Sequence, residues 1–279
     1  MERGAAPAGD ERMKVASSTH QPARTPLVLV HGWGMNAGVW AGLPEAITQR
    51  FAPLAVDLPG HGGAPFSAGQ WSLDHWAQAC LDQVSTRSPA GDHAPAVWLG
   101  WSLGGLVALQ AARLAPDRVK ALVLLAATPR FVRAVDWQVA VPEGTLGQFH
   151  DGLLADPQGT LERFLALQVR GADDARALLR RLRAGLAGQP AADPAALAQG
   201  LQLLREEDLR GPLPDIRPPT LWLFGERDTL VPAAAAERVA LLMPEARVQV
   251  LPGAAHAPWL SHGGATAAAM IEFLDSIGL

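Results

Sequence analysis

The stretch Gly100-Trp101-Ser102-Leu103-Gly104-Gly105 limits what this chain can fold into more than any other. It follows an apolar run of strand length at 97–99 and precedes a helical pattern through Val107, Gln110, Ala111 and Leu114. A serine at so tight a strand-to-helix turn is forced into a strained backbone geometry that lifts its hydroxyl above the sheet. Glycines flank it because side chains there would strike the neighbouring strand and helix. The positive end of the following helix favours negative charge at the same spot.

The rest of the chain supplies the sheet that such a turn needs. Short, nearly all-apolar runs recur at 27–30, 54–56, 97–99, 121–125, 220–224 and 248–251. Each is expected to be a parallel strand covered on both faces. Between them lie helical stripes such as Leu73, Trp76, Ala77, Cys80, Leu81 and Val84. Cys80 sits inside that stripe and reads as a buried structural thiol. The alternation predicts an α/β fold with a mostly parallel, doubly wound sheet. It breaks for about ninety residues, too long for a structureless loop. Residues 128–218 are therefore expected to form a helical cap inserted between two core parts, 26–127 and 219–279. Helices are expected around 161–169, 175–186 and 195–205, with the Ala/Pro/Gly-rich 185–200 loose or hinge-like. Residues 1–25 lack periodicity and read as a flexible arm.

A serine hydroxyl is a poor nucleophile and needs a base, which in turn needs an orienting carboxylate. In the fold that places its serine on such a strand-to-helix turn, these follow in the order Ser, Asp or Glu, then His. Two turns after late strands provide them: Gly225-Glu226-Arg227-Asp228 and Gly253-Ala254-Ala255-His256-Ala257-Pro258. Asp228 and His256 are the candidates, with Glu226 and His262 as rivals. The tetrahedral intermediate also needs preformed donors for its oxyanion. Val30-His31-Gly32-Trp33-Gly34 follows the first strand, and the backbone N–H groups of Trp33 and Leu103 are the pair expected. His31 reads as a structural turn residue, and the indole of Trp33 as a wall of the substrate pocket. The rigid turn Asp57-Leu58-Pro59-Gly60-His61-Gly62 is expected to buttress this loop.

Together, the serine turn, the early loop, the 57–62 turn and the Ser–Asp–His order resemble the α/β-hydrolase family, from Leu27 to nearly the end of the chain. The family's opening antiparallel strands are not legible here, and Gly63-Ala64 stands where relatives often carry a serine. Within the family, four strings are similar to the pimeloyl-[acyl-carrier protein] methyl ester esterases of biotin synthesis. They are His31-Gly32-Trp33-Gly34-Met35-Asn36-Ala37, Trp98-Leu99-Gly100-Trp101-Ser102-Leu103-Gly104-Gly105-Leu106-Val107, Glu162-Arg163-Phe164-Leu165-Ala166-Leu167-Gln168 and Ala254-Ala255-His256-Ala257-Pro258. The third carries most weight, because it lies in the variable insertion. The resemblance implies a serine carboxylesterase with no metal or organic cofactor, releasing methanol and a free carboxylate. It also implies substrate contacts from Trp33, Ser102, Leu103, Phe164, Leu165, Ala166, Leu167, Gln168 and His256.

Charge adds a candidate partner surface. The six arginines within 163–183 face only Asp173 and Asp174. Arg176 and Arg180 fall on one helix face, and with Arg163 they form a candidate docking site for an acidic acyl-carrier protein. Arginine outnumbers lysine throughout, only Lys14 and Lys120 being present, so a plain solvated face stays open. The net charge of −4 argues against a nucleic-acid binder. A single cysteine excludes a disulfide scaffold and a thiolate metal cluster. No apolar run reaches the ~18 residues of a membrane span, and the first two dozen residues lack the core of a secretory signal. A cytoplasmic, monomeric enzyme is expected. A general short-chain carboxylesterase, a carbon–carbon bond hydrolase and a low-turnover ligand receptor are alternatives on the same residues. Serine in place of aspartate at the turn disfavours a dehalogenase.

Overall fold

The computed structural model describes Met1 and residues 24–67, 69, 72–88 and 94–279. The expected arm, 1–25, therefore lies almost wholly outside the described residues. Six strands form one sheet: β1 (Pro26–Val30), β2 (Ala52–Val56), β3 (Ala96–Trp101), β4 (Val119–Leu125), β5 (Thr220–Gly225) and β6 (Arg247–Leu251). Their order across the sheet is β2-β1-β3-β4-β5-β6, and every pairing is parallel. Each expected run falls inside one of them. β3 and β5 are buried along their full length, which is why they read as continuous apolar runs. The chain first winds outward from β1 to β2 and then crosses back to β3. That reversal makes the C-terminal ends of β1 and β3 the topological switch point, where doubly wound sheets place ligands.

Helices cover both faces: α1 (Glu45–Arg50), α2 (Leu73–Arg87), α3 (Leu103–Leu114), α4 (Glu143–Ala155), α5 (Pro157–Gln168), α6 (Ala175–Leu186), α7 (Pro194–Glu206), α8 (Ala235–Leu242), α9 (Pro258–Ser261) and α10 (Gly263–Ser276). α2 starts at Ser72, whose hydroxyl accepts from the His75 N–H, and buries the expected stripe with Cys80 in it. Burial pushes the Cys80 thiol up to about 12, so it stays protonated and inert. Among the described residues, no helix is long and apolar enough to cross a membrane.

Helices α4–α7 occupy the stretch between β4 and β5. The segment 185–200 differs from its composition: it is pinned to the sheet layer at both ends. Asn36 Nδ2 donates to the Leu186 carbonyl at 3.3 Å, and the Asp193 N–H donates to the Gly60 carbonyl at 2.8 Å. Asp193 also caps α7 by accepting from the N–H of Ala195. Small residues here allow close approach, and do not mark looseness.

Candidate active site

β3 ends at Trp101 and α3 begins at Leu103, so Ser102 alone makes the turn. Its φ of 56° and ψ of −121° lie in a region that non-glycine residues rarely adopt, and only Ala126 shares a positive φ among the described non-glycine residues. The Ser102 N–H is tied to the Leu125 carbonyl at 3.1 Å, which fixes the turn to β4. A side chain at Gly100 would overlap the Gly104 carbonyl, and one at Gly104 would overlap the Val30 carbonyl. The glycines thus let strand, turn and helix cross in contact.

The loop after β5 delivers Asp228, and the loop after β6 delivers His256. Asp228 Oδ1 accepts from the N–H groups of Leu230 and Val231 at 2.8 and 2.9 Å, leaving Oδ2 for His256 Nδ1 at 2.7 Å. A carboxylate only accepts, so Nδ1 carries the proton and Nε2 keeps the lone pair of a base. His256 Nε2 is buried without a hydrogen-bond partner among the described residues, so Ser102 does not bond to it in this structure. Such hydrogen bonds are commonly long before substrate binds. The rivals are engaged elsewhere: Glu226 accepts from the Gly253 N–H at 2.7 Å, and His262 pairs with the Ser261 hydroxyl at 2.9 Å. Trp101 connects the serine turn to the histidine loop, its indole N–H donating to the His256 carbonyl at 2.8 Å.

The loop after β1 passes directly over the serine: a Cβ at Gly32 would lie 3.2 Å from Ser102 Cβ. His31 is wholly buried beneath it and holds the Gly32 carbonyl through Nδ1 at 2.8 Å. Its Nε2 accepts from the Leu58 N–H at 3.0 Å, which assigns the proton to Nδ1. Asp57 accepts from the Ala37 N–H at 2.6 Å. Burial raises the Asp57 pKa, but His31 and the Ala37 N–H outweigh it and hold the carboxyl below its usual range. The 57–62 turn therefore does brace the loop. His61 in that turn is buried against His31 and Trp76, with Nδ1 2.9 Å from the Pro59 carbonyl. Burial, then the electrostatic influence of His31 beside it, pushes its pKa down to about 3. Neither Trp33 nor Leu103 donates its backbone N–H to any turn or loop carbonyl among the described residues.

The indole of Trp33 does more than line a wall. It is fully buried and donates to the Leu197 carbonyl of α7 at 2.7 Å. Phe164 of α5 meets it edge-on at 4.6 Å, and Phe149 of α4 lies behind at 6.4 Å. Neither Leu197 nor Phe149 stood out in the sequence, because nothing local marks a partner more than a hundred residues away. Leu165 and Gln168 are buried with Phe164, Gln168 bonding the Phe164 carbonyl at 2.8 Å, while Leu167 is half-buried and Ala166 exposed. Arg176 and Arg180 are exposed on α6. Arg163 is exposed on α5, where it donates to Thr160 and stands 3.7 Å from Asp156. Arg183 is ion-paired with Glu162 at 2.5 Å.

A buried Asp–His pair beside a strained serine on a parallel sheet is the arrangement of a serine hydrolase. The chain belongs to the alpha/beta hydrolase fold family, whose model matches residues 25–263. It is 43% identical over 258 residues to a pimeloyl-[acyl-carrier protein] methyl ester esterase of Xanthomonas oryzae pv. oryzae, covering 92% of this chain and 97% of that one. It is likewise 43% identical over 250 residues to the Methylococcus capsulatus protein of the same name, covering 90% and 94%. Among solved structures, an esterase from Exiguobacterium antarcticum superposes with a TM-score of 0.80 at 20% identity, over 91% and 92% of the two chains. That likeness concerns the fold alone.

Proposed function

We propose that this chain is a serine carboxylesterase that hydrolyses the methyl ester of a pimeloyl chain carried on acyl-carrier protein. The observation that carries the reading is the buried His256–Asp228 pair, held beside the serine turn by Trp101. Ser102 Oγ attacks the ester carbonyl as His256 Nε2 takes its proton, and Asp228 holds the imidazole in the needed tautomer. The N–H groups of Trp33 and Leu103 receive the oxyanion, a task for which they are unengaged. The tetrahedral intermediate collapses, and His256 returns the proton to the departing methoxide, giving methanol and an acyl-serine. Water then enters, losing a proton to the same histidine, and the carboxylate is released with Ser102 restored. No metal or organic cofactor enters the scheme, and the enzyme acts as a single cytoplasmic chain.

The relatives' names supply the substrate, and residues 128–218 are taken as the cap that receives it. Phe164, Leu165, Leu167 and Gln168 line the acyl chain's path, and the exposed Arg176 and Arg180 meet the acidic carrier, with Arg163 at the margin. The test is a multiple-turnover assay of methanol release from the carrier-bound methyl ester. The wild-type chain should turn over and Ser102→Ala should not; turnover retained by a pure Ser102→Ala preparation would overturn the reading. Charge reversal at Arg176 and Arg180 should raise KM for the carrier-bound ester about tenfold and leave a short nitrophenyl ester unchanged. Equal effects on both substrates would remove the docking role.

A further inference from the structure

Trp33 belongs to two layers of the molecule at once. Its backbone lies in the loop over Ser102, while its side chain is embedded among the helices inserted between β4 and β5. The indole N–H reaches the Leu197 carbonyl at 2.7 Å, and the ring packs on Phe164 and Phe149. Gly200, three residues on from Leu197 in α7, yields the space the ring occupies: a Cβ there would lie 2.7 Å from the indole Cδ1. Next to Trp33, Gly34 at φ +69° brings the same loop against α5, where a Cβ would lie 2.9 Å from the Leu161 side chain. α4, α5 and α7 therefore all bear on the loop that carries the oxyanion donor.

The arrangement is also closed. Ser102 is 4% exposed and His256 1%, and Trp33 is not exposed at all. Movement of the inserted helices to admit a carrier-tethered acyl chain would act on this loop through Trp33. A shift that draws α7 away takes the Leu197 carbonyl from the indole N–H, and a buried donor without an acceptor is costly. The indole must then follow α7 or repack. An indole that follows α7 pulls on the Cα it shares with the backbone N–H, which ties the donor to the helix.

Resting on the reading of Trp33 as an oxyanion donor, we propose that α7 positions that donor through Leu197 and Gly200, so the oxyanion hole is assembled only when the inserted helices close. The closed arrangement then completes the catalytic geometry for any acyl group, long or short, before the chemical step. Leu197 and Gly200 are positioning residues that touch no reacting atom.

Two variants test this by opposite routes. Trp33→Phe keeps a ring but removes the donor to Leu197, while Gly200→Ala keeps the donor but crowds the ring. Each is assayed on p-nitrophenyl acetate, whose acyl group is too short to reach the inserted helices, and on the carrier-bound methyl ester. Both variants should lower kcat at least fivefold on both substrates, with KM for p-nitrophenyl acetate within twofold of wild type. Affinity for a trifluoromethyl ketone, which forms a tetrahedral oxyanion on the serine, should fall by the same factor as kcat. A rise in KM for the long substrate alone, with kcat on p-nitrophenyl acetate intact, would reduce the indole to a pocket wall and overturn the proposal. Should one variant fail to fold, the other carries the same readouts. Fluorophosphonate labelling of the wild-type chain separates the two levels. Label on Ser102 with unchanged variant kcat defeats the coupling alone, whereas no label on Ser102 defeats the underlying reading of the site.

Discussion

Trp101 donates its indole N–H to the main-chain carbonyl of His256 at 2.8 Å, so the residue just before the strained serine also holds the loop of the proposed base. Its ring lies 5.8 Å from the imidazole and packs edge-on against Trp259 at 4.5 Å. Trp101→Phe preserves most of this packing but leaves a buried carbonyl unpaired, at about 1–3 kcal/mol. Ester kcat should fall about tenfold with KM little changed, and the midpoint of thermal unfolding should drop by a few degrees. Steady-state kinetics with calorimetry on the same preparation checks both. An unchanged kcat would show that His256 is held by Asp228 alone.

The bond from Asp228 Oδ2 to His256 Nδ1 sets which imidazole nitrogen is basic. Asp228→Asn can present its amide N–H₂ to Nδ1, which stabilises the tautomer with the lone pair on the wrong side. By analogy with other Ser–His–Asp enzymes, kcat should fall about 10³–10⁴-fold. Stability should change little, because the side-chain oxygen still accepts from Leu230 and Val231. Denaturant unfolding beside single-turnover kinetics separates the two effects.

The sequence is most informative where one residue's neighbours in the chain are also its neighbours in space. The glycines around Ser102, the apolar runs of β3 and β5, and the stripe of α2 are local patterns, and each stands where it was read. Asp228 and His256 stand in loops that directly follow strands, and the structure pairs them. Contacts between layers left no such mark. The Trp33–Leu197 hydrogen bond spans 164 residues, and Trp101–His256 spans 155. The 185–200 segment shows the converse: Gly, Ala and Pro suggest looseness, yet Gly185 is small because Gly38 presses against it. Composition reports what a backbone is free to do, and only packing shows which freedom is used.

His61 predicts an acid sensitivity. Its ring is fully buried and its pKa is about 3, against the ordinary 6.5 it regains on unfolding. Between those values the unfolded chain binds the extra proton, so stability rises with pH in that window. The contribution is complete above pH 6.5 and is lost progressively as pH falls towards 3, at up to about 1.4 kcal/mol per pH unit. Asp57, whose pKa is lowered from 3.8, adds to the slope only below about pH 4. Glu207, raised above 4.5 by burial, acts in the opposite sense at the acid end of the window, so the comparison with a His61 variant isolates the imidazole. Urea unfolding at pH 7.5, 5.5 and 4.5 should show the loss. In His61→Gln the slope over that range should be shallower, whatever the variant's stability at pH 7.5; equal slopes would assign the sensitivity to another group.

Two glycine-to-alanine substitutions should change stability in opposite directions. A Cβ at Gly38 would overlap the Gly185 carbonyl of α6, so the inserted helices must move off the short turn at Ala37–Gly42. Neither backbone is a flexible side chain end, so Gly38→Ala should cost about 1–3 kcal/mol. Gly147 lies inside α4 with nothing within 4 Å of the position its Cβ would take. Gly147→Ala removes conformational freedom from the unfolded chain and adds helix propensity, and should stabilise by about 0.4–1 kcal/mol. The pair also separates local from coupled effects. Gly38→Ala shifts α6, which packs against α5, and should disturb ester turnover as well as stability, whereas Gly147→Ala should leave kcat unchanged. Denaturant midpoints and p-nitrophenyl acetate kinetics on both variants decide this, and a Gly38→Ala protein as stable as wild type would mean that the two layers are not locked at this contact.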